Sequence, residues 1–195
     1  MHHLGITGGI GSGKTTVCKI FETLGIPIYY ADERAKYLMS HDAELIKGII
    51  ELFGKEAYLE PHVLNRAHIA KVAFNDKEKL NQLNACGHPA VARDGRAWQA
   101  AQQNVPYTLK EAAWVYESGS YRSLDKIIVV TAPLELRIER VMARDGAKRE
   151  EVEARIAKQM TEEEKLKLAD FVVYNDGAQA LIPQVIAIHR HFSAL

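Results

Sequence analysis

The sequence predicts an α/β fold in three layers, with helices on both faces of a mainly parallel five-stranded sheet. Three observations predict it. Within the first thirty residues a strand, a glycine-rich turn, a helix and a second strand follow one another, which is a βαβ unit. Short apolar runs return late in the chain, separated by helical patterns, as they do when strands feed one parallel sheet. Between the two sets lies a long, polar, helical stretch. It is too long for one crossover and reads as a helical subdomain over one edge of the sheet.

In order, residues 3–7 (HLGIT) read as a buried first strand stopped by glycines. Residues 14–24 place Val17, Ile20, Phe21 and Leu24 on one helical face, and Gly25 ends that helix. Residues 26–30 (IPIYY) form the second strand, delivering Ala31 and Asp32 to its carboxyl end. Residues 33–53 hold two helical segments broken near Ser40–His41–Asp42, and 54–61 read as a loop. Residues 64–103 hold three helical stretches, punctuated at Asn75–Asp76 and at Gly87–His88–Pro89. Strands are expected at 107–116 and 126–131, then a helix starting at Pro133 and running to about Arg144. Two charged helices fill 148–168, joined near Met160–Thr161. A last strand at 171–174 and a helix over 179–191, with Pro183 in its first turn, complete the chain.

The 195 residues suit a single domain, spanning 1–195. Within it the expected core is 1–32, 105–132 and 170–195, the helical region about 33–104, and a further helical region about 133–168. Composition is that of an ordinary soluble protein, 47% hydrophobic and 26% charged, with a formal net charge of zero. No basic footprint for nucleic acid is present, so any anion is bound locally. Cys18 and Cys86 form no metal-ligand or CxxC spacing and read as reduced thiols. No apolar run reaches the roughly 18 residues of a membrane span, and the chain enters its first strand almost at once. A cytoplasmic protein is expected.

Residues 7–15, TGGIGSGKT, fit G-x-x-x-x-G-K-[ST] through Gly8, Gly13, Lys14 and Thr15. The match follows a candidate strand and opens a helix, the context in which the pattern binds phosphate. Backbone without Cβ at Gly9, Gly11 and Gly13 can wrap phosphate oxygens, and Ser12 and Thr16 lie in the same arc. The helix N-terminus adds positive potential. Lys14 brings a mobile cation to the β and γ phosphates, and the Thr15 hydroxyl can ligate Mg²⁺. Nucleotide binding follows; the loop alone does not distinguish a kinase from a switch or a motor.

TGGIGSGKTT followed by GIPIYYAD resembles the dephospho-coenzyme A kinases. So do HPAV at 88–91, ESG at 117–119, VMARDG at 141–146, QM at 159–160, EEKLKLAD at 163–170 and NDG at 175–177. The resemblance covers nearly the whole chain. It implies a P-loop kinase-type fold with a helical acceptor-binding subdomain and a helical lid over 133–168. It also implies transfer of phosphate from ATP, with Mg²⁺, to the ribose 3′-hydroxyl of dephospho-CoA. No nucleic acid, membrane or obligatory protein partner is then needed.

Asp32 matches the second aspartate of the family's D-A-D signature, as the base that orients the acceptor hydroxyl. Read locally, it could equally cap a helix starting at Glu33. The first aspartate of the signature is replaced by Tyr30. Arg137, Arg140 and Arg144 share one helical stripe opposite Ile138, Val141 and Met142, which is either a solvated face or a closing set of arginines. The resemblance favours Arg140 as catalytic and Arg144 as an ATP contact, with Arg137 and Arg149 weaker candidates. It places Asn175 at adenine. Glu111 stands where the family has Asp, one methylene longer, and could reach Mg²⁺ or substrate. His88 is a substrate candidate or a helix starter. Another small-molecule kinase, a GTP switch and a nucleic-acid ATPase are the alternatives. No N-K-x-D guanine motif supports the switch, and zero net charge weighs against the ATPase.

Overall fold

The computed structural model describes residues 1–194, with backbone alone at 73–75, 77 and 80; Leu195, the end of the expected core range, lies outside the described residues. The chain divides into two compact units, Met1–Tyr30 with Gln102–Leu195, and Ala31–Ala101.

The first unit is built on five strands: β1 (His2–Thr7), β2 (Ile28–Tyr30), β5 (Tyr107–Glu111), β6 (Lys126–Thr131) and β7 (Phe171–Tyr174). Their order is β2-β5-β1-β6-β7 and every pairing is parallel. Alternate residues of the strands share a face. Leu4 and Ile6, Tyr107 and Leu109, Ile128 and Val130, and Val173 pack there against two helices. These are α1 (Lys14–Thr23), through Val17, Cys18 and Phe21, and α9 (Leu181–Ser193), through Val185, Ile188 and Phe192. Burial of each such large side chain contributes about 1.5–3 kcal/mol. Between β6 and β7 run α6 (Leu134–Asp145), α7 (Arg149–Ile156) and α8 (Glu162–Lys167), of which α8 packs on β6.

The second unit holds α2 (Ala31–His41), α3 (Ala43–Phe53), a hairpin of β3 (Tyr58–Glu60) and β4 (Val63–Leu64), α4 (Arg66–Asn75) and α5 (Lys77–Ala100). Its core gathers Leu38, Leu45, Ile49, Phe53, Ile69, Leu83 and Ala90. Asp42 caps α3 by accepting from the Leu45 N–H at 2.8 Å, so the expected break near 40–42 is a single capping residue. Asp76 caps α5 in the same manner through the Glu78 and Lys79 N–H groups.

Four element readings change. The strand expected over 107–116 stops at Glu111. Ala112 N–H gives its bond to Ile6 O at 3.2 Å, and the apolar run beyond is buried by turns, with Val115 and Tyr116 inside. Gly87–His88–Pro89 does not break the helix. Pro89 lies within α5, whose packing on α2, α3 and α4 outweighs the one lost backbone bond. The loop expected over 54–61 contains strand β3. Its turn pairs Pro61 with His62 at φ 69°, the φ pattern of a type II turn, and His62 Nδ1–H donates to Ser40 O at 2.7 Å. Finally, Pro133 precedes α6 as its cap rather than opening it, and Met142 is exposed rather than on the apolar side.

Candidate active site

The phosphate loop joins the carboxyl end of central strand β1 to α1, the place where ligands bind in open parallel sheets. Its arc carries Gly9, Gly11, Ser12 and Gly13, closed by Ser12 N–H to Gly9 O at 3.1 Å. Gly13 is the cap of α1 at φ 89°, a left-handed conformation that glycine reaches without strain. Among the described residues no side chain caps α1 and no acid stands in its first turn. The helix therefore presents an uncompensated positive end at Lys14, Thr15 and Thr16. Thr15 and Thr16 are exposed there. Lys14 Nζ donates to Gly8 O at 3.0 Å, so the cation is folded back along its own loop.

Asn175 follows β7 and binds the loop from the far side. Its backbone N–H donates to Thr131 O at 2.8 Å, its Nδ2 donates to Ser12 O at 2.8 Å, and its Oδ1 faces Arg140 Nη2 at 3.4 Å. A Cβ on Gly13 would overlap the Asn175 amide, so the two positions are matched. Arg140 Nη1 and Ser12 Oγ are both buried without a hydrogen-bond partner. Buried donors of this kind normally find an acceptor. Beside a glycine loop on a free helix end, the oxygens of a phosphate chain fit them.

Glu111 ends β5, 8% exposed, in register with Ile6 of β1 and Tyr30 of β2. Its carboxylate adds to the burial that pushes the Cys18 thiol up. Burial first, and Cys18 next, also raise the Tyr30 phenol, whose O–H donates to Glu22 Oε1 at 3.0 Å. Tyr30 thus serves packing on the core cluster that α1 shares.

The remaining candidates are placed differently. Asp32 is the second residue of α2, exposed, in its first turn; it is not the cap before Glu33. His88 is exposed in the interior of α5 and starts no helix. Arg144 is exposed and bonded to Asp145 at 2.7 and 3.0 Å, and Arg155 joins the same carboxylate. Arg149 pairs with Glu135 and Glu153. The arginine stripe is therefore not uniform: Arg137 is buried, Arg140 is half-buried and Arg144 points to solvent. Among the described residues no three His, Cys, Asp or Glu converge as metal ligands, and no helix is long and apolar enough to cross a membrane.

Three residues, Gln159, Glu117 and Lys165, escaped functional assignment from sequence, and Arg137, a weaker candidate for phosphate, is bonded to the loop instead. Gln159 Oε1 accepts from the Ile10 N–H at 3.0 Å. Arg137 Nε donates to Ile10 O at 3.0 Å. Glu117 Oε1 accepts from Met160 N–H at 2.8 Å and lies 3.4 Å from Nζ of the fully buried Lys165. The ESG, QM and EEK motifs contain the three unassigned residues, so the signal was present without a role attached to it.

A parallel sheet, a glycine loop on a free helix end and a converging arginine define a P-loop nucleotide-binding protein. The dephospho-CoA kinase family model matches residues 2–180, and the chain belongs to that family. Dephospho-CoA kinase of Bacteroides fragilis is 38% identical over 185 residues, covering 95% of this chain and 90% of the relative. That of Chlorobium chlorochromatii is 43% identical, over 89% and 85%. Among solved structures, dephospho-CoA kinase from Campylobacter jejuni superposes with a TM-score of 0.73 at 29% identity, covering 98% of this chain and 97% of its own. Shikimate kinase from Acinetobacter baumannii, at TM-score 0.51 and 15% identity over 100% and 94%, shares the fold alone.

Proposed function

We propose that this chain transfers the γ-phosphoryl group of ATP to the ribose 3′-hydroxyl of dephospho-CoA, giving coenzyme A and ADP, the last step of coenzyme A synthesis. The observation that carries the reading is the uncapped α1 N-terminus behind a glycine loop, with Arg140 Nη1 and Ser12 Oγ buried and unpartnered beside it. Family membership supplies the acceptor.

The loop N–H groups of Gly9, Gly11, Gly13, Lys14 and Thr15 cradle the phosphate chain, and Lys14 exchanges Gly8 O for the β and γ oxygens. Arg140 neutralises charge on the moving phosphoryl group as it passes to the acceptor. Arg144, in the lid region expected over about 133–168, joins it from the exposed end of α6, while Arg137 and Glu162 stay packed on the loop. Asn175 and its neighbouring backbone receive the adenine end. Asp32 accepts the acceptor hydroxyl's hydrogen bond, and positioning is its larger contribution. The helical unit supplies the acceptor wall, with His88 among its candidates. The donors on hand for Mg²⁺ are hard oxygens, the Thr15 hydroxyl and the Glu111 carboxylate. Bound with ATP, the ion would neutralise phosphate charge. In this reading the protein acts in the cytoplasm on the small molecules ATP and dephospho-CoA, without nucleic acid, membrane or obligatory protein partner.

The test is ADP release from purified protein with Mg-ATP, with and without dephospho-CoA, the product identified by mass. Acceptor-dependent turnover to a product heavier by one phosphate supports the reading. Turnover with AMP, adenosine or shikimate instead would overturn the acceptor.

A further inference from the structure

Ile10, at the tip of the phosphate loop, is held at every group it owns. Its N–H goes to Gln159 Oε1 at 3.0 Å, and its C=O accepts from Arg137 Nε at 3.0 Å. Its side chain packs on Ile138, Val141 and Val152 of α6 and α7. All three holds come from the chain between β6 and β7. Arg137 is 4% exposed, and its Nη1 donates to Glu162 Oε2 at 2.9 Å, on the first residue of α8. The guanidinium lies so close to the loop that a Cβ on Gly9 would overlap it. One glycine of the phosphate motif thus leaves room for an arginine rather than for a ligand.

A buried guanidinium in this setting has requirements of its own. It needs a counter-charge, supplied by Glu162, and acceptors for its fork, supplied by Glu162 and Ile10 O. Removing the carboxylate leaves a buried cation and loosens its grip on the loop. Because Arg137 stands one turn before Arg140 on α6, the same grip fixes the helix face that carries Arg140 toward Asn175.

We propose that Arg137 and Glu162 are a positioning pair for ATP: through them α8 sets the shape of the phosphate loop before nucleotide arrives. Neither touches the reacting atoms. The pair acts through Ile10, so its loss weakens ATP and leaves the acceptor alone. The inference rests on the nucleotide reading of the loop.

The experiment uses the full chain and two variants, Arg137→Lys and Glu162→Gln. Mg-ATP affinity is measured by calorimetry, and KM for ATP and for dephospho-CoA by ADP release. Lysine keeps the charge but loses the fork, so ATP affinity should fall about 10-fold or more, the equivalent of one charge-assisted hydrogen bond. Glu162→Gln keeps the shape and should cost about 5-fold, with KM for dephospho-CoA changing less than about 2-fold. If Arg137→Lys does not fold, Glu162→Gln decides alone. Lower melting temperatures with unchanged ATP affinity would make the pair structural only and overturn the proposal. Absence of ATP binding in the unaltered chain would overturn the nucleotide reading, and the pair's role with it.

Discussion

Replacing Gly13 by alanine tests the match between the phosphate loop and Asn175. Two costs arise. The new side chain must hold φ 89°, which an L-residue does at about 1–2 kcal/mol. Its Cβ must also expel the Asn175 amide, which gives up the 2.8 Å bond to Ser12 O and the longer one from Arg140, about 1–2 kcal/mol more. Together they amount to about 2–4 kcal/mol, or a fall in Tm of about 5–15 °C for a chain of this size. Asn175→Ala alone should cost only the second part. With the amide already gone, alanine at position 13 meets nothing and pays only for its backbone. The double variant should therefore be more stable than the two single effects predict, by about 1–2 kcal/mol. Urea denaturation followed by circular dichroism gives all three values. Additivity within about 0.5 kcal/mol would refute the reasoning, since it would mean that the two residues do not meet.

Three further outcomes are expected. Lys14→Ala should abolish phosphoryl transfer while circular dichroism and Tm without ligand stay unchanged, and it should lose the stabilisation that saturating ATP gives, about 2.7 kcal/mol at a hundredfold Kd; unchanged turnover would remove the phosphate-loop assignment. Asp32→Asn should lower kcat by about 10²-fold or more with ATP affinity intact; an effect confined to thermal stability would reduce Asp32 to a first-turn acid of α2. Under native conditions at pH 8 iodoacetamide should modify Cys86 and spare Cys18, because burial, then Glu111, hold the Cys18 thiol protonated; equal labelling of both by mass spectrometry would contradict that burial.

The fold was legible where chemistry is local. Glycine spacing, the face Val17–Phe21 and the β-branched runs at 126–131 and 171–174 each constrain a few neighbouring residues, and those constraints held. Sequence misled where distant packing decides. Gly87–His88–Pro89 looks like a stop, yet Ala90 and Leu83 on either side are drawn into the core and carry the helix through. AAWVY at 112–116 has strand composition, but its last ladder bond is spent at Ala112, where turns take over. The site divides in the same way. Lys14, Thr15 and Gly13 follow from a motif eight residues long. The partners of the loop, Arg137, Gln159 and Asn175, lie far along the chain, and no periodicity links them to it.

The strand order carries a consequence for synthesis. β1 is the middle strand, yet its neighbours are β5, where His2 faces Tyr107, and β6, where Leu4 faces Lys126. As the chain leaves the ribosome at about 5–20 residues per second, β1 waits for several seconds with both hydrogen-bonding edges bare. The helices of Ala31–Ala101, a compact unit of their own, emerge whole in that interval. The nascent protein would therefore acquire its helical unit first. Its phosphate loop, slung between β1 and α1, would take shape only after the sheet has closed around the oldest strand.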